Sequence, residues 1–185
     1  MSRVLLLFFA VFFFSPAFTA KAGNYEVVQD FISEPGEGMD QFLVRISSDL
    51  AAYTAKTKWE ACGMVALNEN TQRWGLRLTT SKGSFNCDIH KKELPEGMRS
   101  MAMTIHTHPQ EKSLFPTQFD VMASGGTWRR SQARGLGLEV FSQGDFDSGS
   151  GYVVTHGKLF YQQGPTEIRE VGTVGNPIPT AIASN

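Results

Sequence analysis

The chain lacks an excess of charge of either sign. Its 17 Lys and Arg stand against 18 Asp and Glu, a formal net charge of −1 over 185 residues. A nucleic-acid partner usually needs a basic surface, so this balance argues against one. Cysteine is scarce: Cys62 and Cys87 are the only two, enough for a single bridge at most. After the N-terminal segment no apolar run is long enough to cross a membrane. No internal repeat is visible, which argues against a repeat array.

The N-terminal segment has a pattern of its own. Arg3 supplies a positive charge, residues 4–14 form an apolar run, and Ser15-Pro16 breaks it. The run is too short to span a bilayer as a stable helix. Ala20 and Ala22 place small residues at the −3 and −1 positions of a cleavage site. The pattern predicts a secretory signal peptide over residues 1–22, with an uncleaved anchor as the alternative. The mature chain is then expected to be periplasmic or secreted, in a compartment where disulfides form. Roughly 160 residues remain, the size of one domain with a real core.

Residues 24–37 are mixed in character, and Glu34-Pro35-Gly36 marks a turn. From Met39 the period changes. Phe42, Leu43, Ile46, Leu50 and Tyr53 fall on one stripe of a helix ending near Lys56, with Asp40 as an acid in its first turn. Residues 62–67 read as a strand, 68–70 as a turn, and 73–80 as the hairpin partner, with Trp74, Leu76 and Leu78 alternating. Residues 87–98 show no clear period. Residues 101–105 read as a short buried strand that leads into His106-Thr107-His108-Pro109. Residues two apart on a strand share a face, so His106 and His108 present both imidazoles on one side. Pro109 has no N–H and ends the strand. Thr117 is expected to cap a helix that Gly125-Gly126 closes, with Asp120 in its first turn. Residues 135–142 read as a strand and 144–149 as a loop. Residues 152–155 and 158–161 read as a hairpin turned at His156-Gly157. From Gly164 the Pro, Gly, Thr and Ser content predicts an extended or mobile tail. The sum is an α+β domain.

His106, His108 and Asp120 make a three-ligand set with an open fourth position, the set expected of a catalytic zinc. Each half alone is common. An H-x-H pair is more often a polar strand face than a ligand pair, and Thr117-x-x-Asp120 is a capping-box variant whether or not its acid binds anything. Asp145 and Asp147 loosely resemble a calcium loop, but the later ligands are missing and a solvated turn is favoured. His90 and His156 carry no assigned role.

Glu60-Ala61-Cys62-Gly63 lies at the start of the first strand of that hairpin. With His106-x-His108-Pro109 and Thr117-x-x-Asp120 downstream, it resembles the JAMM (also JAB or MPN+) metallopeptidase family. That family shows an E-x-C-G-like strand start, then H-x-H-P, then S-x-x-D. The resemblance covers residues 40–162, and Glu60, His106, His108 and Asp120 match position by position. Thr117 stands where the family usually has serine, and the gap from His108 to Thr117 is one residue longer than usual. The resemblance implies a mixed β-sheet with flanking helices, layered like the cytidine deaminases, over residues 39–163. An N-terminal extension (23–38) would precede it and the tail (164–185) would follow.

The resemblance also implies a reaction. Zinc would sit on His106, His108 and Asp120. Glu60 would be the general base, and the Thr117 hydroxyl a donor to the developing oxyanion. Family members commonly cut isopeptide bonds to ubiquitin-like proteins. In a bacterial periplasm, peptidoglycan cross-links or a secreted peptide or protein fit better, on compartment grounds alone. A non-catalytic binding module on the same fold and a metal-binding or redox protein without hydrolysis are the competing classes. The cysteines stay open at this point. An oxidising compartment favours a Cys62–Cys87 disulfide, while the resemblance allows a buried, reduced Cys62. A Cys62 nucleophile would leave the spacing of His106, His108 and Asp120 unexplained.

Overall fold

A computed structural model describes residues 25–135 and 140–175. The expected signal peptide, residues 136–139 and the end of the expected tail lie outside the described residues. The elements run β1 (Glu26–Ile32), α1 (Met39–Thr57), β2 (Cys62–Asn68), β3 (Arg73–Thr80), β4 (Arg99–Thr107), β5 (Ser113–Leu114), α2 (Gln118–Ala123), β6 (Arg134–Gly135), α3 (Gln143–Asp147), β7 (Gly151–Thr155), β8 (Lys158–Gln162) and β9 (Ile168–Thr173). Seven strands form one mixed sheet in the order β1-β3-β2-β4-β7-β8-β9, and β5 pairs with β6 in a small separate ribbon. The expected α+β class and mixed sheet are present.

α1 covers one face of the sheet. Phe42, Leu43, Val44, Ile46 and Leu50 are all essentially fully buried. They pack with Val65, Leu76, Leu78, Ile105, Tyr152, Val154 and Leu159 in one apolar cluster. At roughly 1.5–3 kcal/mol per fully buried side chain of this size, this stripe is the main force docking the helix. Polar contacts fix its register. The Tyr152 hydroxyl donates to Asp40 Oδ1 and Arg169 Nη2 donates to Asp40 Oδ2, each at 2.9 Å. The Thr54 and Thr107 hydroxyls meet at 2.5 Å, and the Ala61 N–H donates to Thr107 Oγ1 at 2.9 Å. Ile105 and Thr107 thus face α1, and by strand alternation His106 and His108 face the opposite side.

β4 and β7 run parallel, with His106 beside Val153, while β2 lies antiparallel on the other side with Cys62 beside His106. Between β4 and β7 the chain carries β5, α2, β6 and α3, and Gln110, Ala123, Phe141 and Asp145 from this stretch line the cleft on the histidine face. Close packing at the join needs glycine, since a Cβ on Gly151 would overlap Thr104 Oγ1.

The structure adds two edge strands to the expected elements and revises the stretch before β7. The N-terminal extension (23–38) contributes β1, which pairs antiparallel with β3. The tail contributes β9, which pairs with β8. Both are edge strands that bury little: only Phe31 is buried in β1, and no residue is in β9. Their sequences therefore lack the apolar alternation of the central strands. Of the strand expected over 135–142, residues 136–139 lie outside the described residues; Gly135 belongs to β6, and Ser142 is the N-cap of α3. The loop expected over 144–149 is largely that short helix.

Candidate metal centre

Three donor atoms converge on the open face of the sheet. One each from His106, His108 and Asp145 lie within 4.8 Å of one another. The two Nε2 atoms are 3.0 Å apart, and His106 Nε2 is 3.3 Å from Asp145 Oδ1. Ligand bonds of about 2.0–2.1 Å in a tetrahedral site put neighbouring ligand atoms about 3.3 Å apart. Two of the three separations lie close to that value, and two imidazoles with one carboxylate are a donor set that zinc accepts. Burial lowers the pKa of both histidines. For His108 the neighbouring His106 adds to the effect, while Asp145 opposes it at both rings. Both rings are thus held neutral, the form that binds a metal.

Each group arrives by a different local rule. His106 belongs to β4, and His108 follows it in the same pleat, its N–H donating to Val154 O at 3.1 Å. Gln110 braces the strand end, with Nε2 donating to His108 O at 2.9 Å and Oε1 accepting from His156 N at 3.0 Å. Asp145 sits in the first turn of α3. Ser142 N and Oγ both donate to Asp145 Oδ2, at 2.7 and 2.8 Å. That capping box leaves Oδ1 facing His106.

Glu60 precedes β2 on the pleat of Cys62 and shares the histidines' face. It is only 7% exposed, and its Oε1 lies 4.0 Å from His108 Nε2. Burial, with the charges of Asp145 and then Asp120 added, raises its pKa well above the usual carboxylate range. A divalent cation in front of it would act in the opposite sense and favour the ionised form. It lies beside the three donors and is not one of them.

Asp120 and Thr117 are placed differently from the sequence expectation. Asp120 is fully buried, but both its oxygens are occupied elsewhere. Oδ2 accepts from Ser84 N at 2.9 Å, Thr117 N at 2.8 Å and Thr117 Oγ1 at 2.9 Å, and Oδ1 accepts from Phe85 N at 3.1 Å. It latches the segment after β3 onto α2, and Asp145 takes the position beside the histidines. Thr117 caps α2 and lines a second groove with Phe115 and Met122, away from the donor group. Ser142, which lines the same cleft as the donors, bonds Asp145 Oδ2 through its hydroxyl. Nothing in composition distinguished Ser142-Gln143-Gly144-Asp145 from Thr117-Gln118-Phe119-Asp120, although both fit the same capping pattern.

The donors lie in a cleft of about 690 Å³ walled by Phe85, Ile89 and Phe141. One wall is stapled. Cys62 and Cys87 form a disulfide, with Cys62 directly opposite His106 in the ladder and Cys87 on the cleft wall. The latch through Asp120 holds the same segment three residues earlier. His156 lies at the rim, and His90 stacks on Tyr25 with centroids 3.9 Å apart. No helix among the described residues is long and apolar enough to cross a membrane.

Fold and site together define a mixed-sheet domain with a two-histidine, one-aspartate centre beside a buried glutamate. No family model, curated protein or solved structure matches the chain.

Proposed function

We propose that the chain is a zinc-dependent amide hydrolase of the JAMM type that works outside the cytoplasm. The observation that carries this reading is the convergence of His106, His108 and Asp145 beside the buried carboxylate of Glu60. The H-x-H-P strand end, the glutamate before β2 and an S-x-x-D segment keep the family's order once Ser142 and Asp145 stand for its last motif. The Cys62–Cys87 bridge supports an oxidising compartment.

His106, His108 and Asp145 would hold the zinc, which supplies polarisation of the scissile carbonyl and a lowered pKa for a water molecule. Glu60 accepts the proton of the attacking water and returns it to the leaving amine. Ser142, at the cleft surface, keeps Asp145 in register, its single O–H donating to Asp145 Oδ2. Phe85, Ile89 and Phe141 narrow the cleft and limit water around the reacting bond. Peptide, isopeptide and peptidoglycan cross-link amides are the substrate classes that fit.

The test is turnover on a panel of those three amide classes, with and without zinc, for the natural protein and Glu60→Gln. The variant is expected to bind one zinc per chain and lose roughly 10²–10⁴-fold in rate. Undiminished turnover in Glu60→Gln refutes the mechanism. Loss of zinc from it makes Glu60 a ligand.

A further inference from the structure

We infer that Gln162 is a positioning residue that sets the metal affinity of the centre by holding Asp145 against the histidines. The inference rests on the metal reading above. Of the three donors, His106 lies in β4 and His108 directly follows it, bonded to β7 through Val154 O; Asp145 lies away from the sheet strands. Its helix, α3, has five residues, none of them buried; its one aromatic contact among the described residues is Phe146 on Phe141, with ring centroids 6.0 Å apart.

Two polar clamps hold α3. At the N-terminus, Ser142 closes the capping box. At the other end, Gln162, the last residue of β8 and only 1% exposed, reaches from the sheet. Its Nε2 donates to the carbonyl of Asp145 itself at 3.3 Å and to Gly149 O at 2.5 Å. Its Oε1 accepts from Gly164 N at 2.6 Å. The amide thus spends both N–H groups on the α3 segment and its oxygen on its own strand's exit. Gln162 is paired with Gly151 of β7, and β7 runs beside His106 on β4. One side chain therefore references the carboxylate-bearing helix to the ladder that carries the histidines. Without it, α3 is held by its N-terminal cap and the Phe146 contact alone, and the 3.3 Å approach of Asp145 Oδ1 to His106 loses its tie to the sheet. The groups that orient a metal ligand from behind are typically worth 10–100-fold in affinity.

The variants are Gln162→Met, which keeps length and removes all three hydrogen bonds, and Gln162→Glu, which keeps the acceptor for Gly164 N–H and loses both donations to α3. Asp145→Ala is the control. Zinc affinity is read by competition with a chromophoric chelator, the cobalt form is examined by visible absorption, and the melting temperature of the metal-free protein is recorded. The expected result is a 10–100-fold loss of zinc affinity with an altered cobalt spectrum in both Gln162 variants. That loss should appear in the folded metal-free protein, including Gln162→Glu if Gln162→Met does not fold. A lower melting temperature with zinc affinity within twofold of the natural protein overturns the inference, because the residue is then structural only. If Asp145→Ala also retains zinc, the metal centre itself is misassigned and the role of Gln162 falls with it.

Discussion

Removing Asp120 and removing Asp145 should have opposite signatures, although both are acids in the first turn of a capped helix. Asp120→Ala deletes the acceptor of three buried or half-buried backbone N–H groups, those of Ser84, Phe85 and Thr117. A buried donor left without a partner costs about 1–3 kcal/mol. Three of them, with water reaching some, come to about 3–4 kcal/mol, a large fraction of the roughly 5–15 kcal/mol that holds a domain folded. At about 2–4 °C per kcal/mol for a chain of this size, the melting temperature should fall by about 10 °C. Zinc affinity should change little in whatever remains folded. Asp145→Ala loses an exposed capping box, for which about 1 kcal/mol is the usual cost, and the contact of Oδ1 with His106. It removes one of three donor atoms, so zinc affinity should drop by more than the roughly 100-fold that marks the loss of a supporting partner. Calorimetry of the metal-free proteins and chelator competition on the same preparations measure both axes. If Asp120→Ala abolishes zinc binding while Asp145→Ala keeps it, the centre uses Asp120 after all and the geometric assignment is wrong.

Two further outcomes are expected. Reducing the Cys62–Cys87 bridge, whose ends are 25 residues apart, should cost about 3.5 kcal/mol in the chain-entropy account; matched denaturant midpoints with and without dithiothreitol would contradict it. Gly83→Ala should also destabilise, because a Cβ there would overlap Asn86 O and lie 2.7 Å from the Phe119 ring and 2.9 Å from Asp120 Oδ1. An unchanged melting temperature would show that the latch segment can yield.

The core of the fold was legible because its signals are periodic. The α1 stripe, the β2–β3 hairpin with Leu76 and Leu78 inward, the histidine strand and the β7–β8 hairpin stand where alternation and helical spacing put them. β1 and β9 were not legible, because an edge strand with one neighbour and a wet face has no need of alternating apolar residues. Val27 and Ile168 are 47% and 45% exposed although each lies in a strand. β1 also carries a bulge between Val27 and Gln29, which breaks the period of two. The disulfide was open from sequence and is decided by register: the central ladder holds Cys62 opposite His106, and the loop returning from β3 brings Cys87 to it.

The site was legible in its strand half and ambiguous in its helix half, and the ambiguity has a physical origin. Strand pleating alone forces His106 and His108 to one face, so their spacing carries the geometry. A carboxylate at the third position after Ser or Thr carries less, since the cap fixes one oxygen and leaves the other to whatever lies beyond the helix. In Thr117-Gln118-Phe119-Asp120 the second oxygen meets the Phe85 N–H, and the acid becomes a latch. In Ser142-Gln143-Gly144-Asp145 it meets His106 Nε2, and the acid becomes a candidate ligand. The local pattern is the same, and a contact 35 residues away in the first case and 39 in the second decides between them. Proximity in sequence favoured the nearer box, while the parallel β4–β7 pairing brings the farther one back to the histidines. The nearer box keeps a part in the site through the wall it holds, and its charge still reaches Glu60.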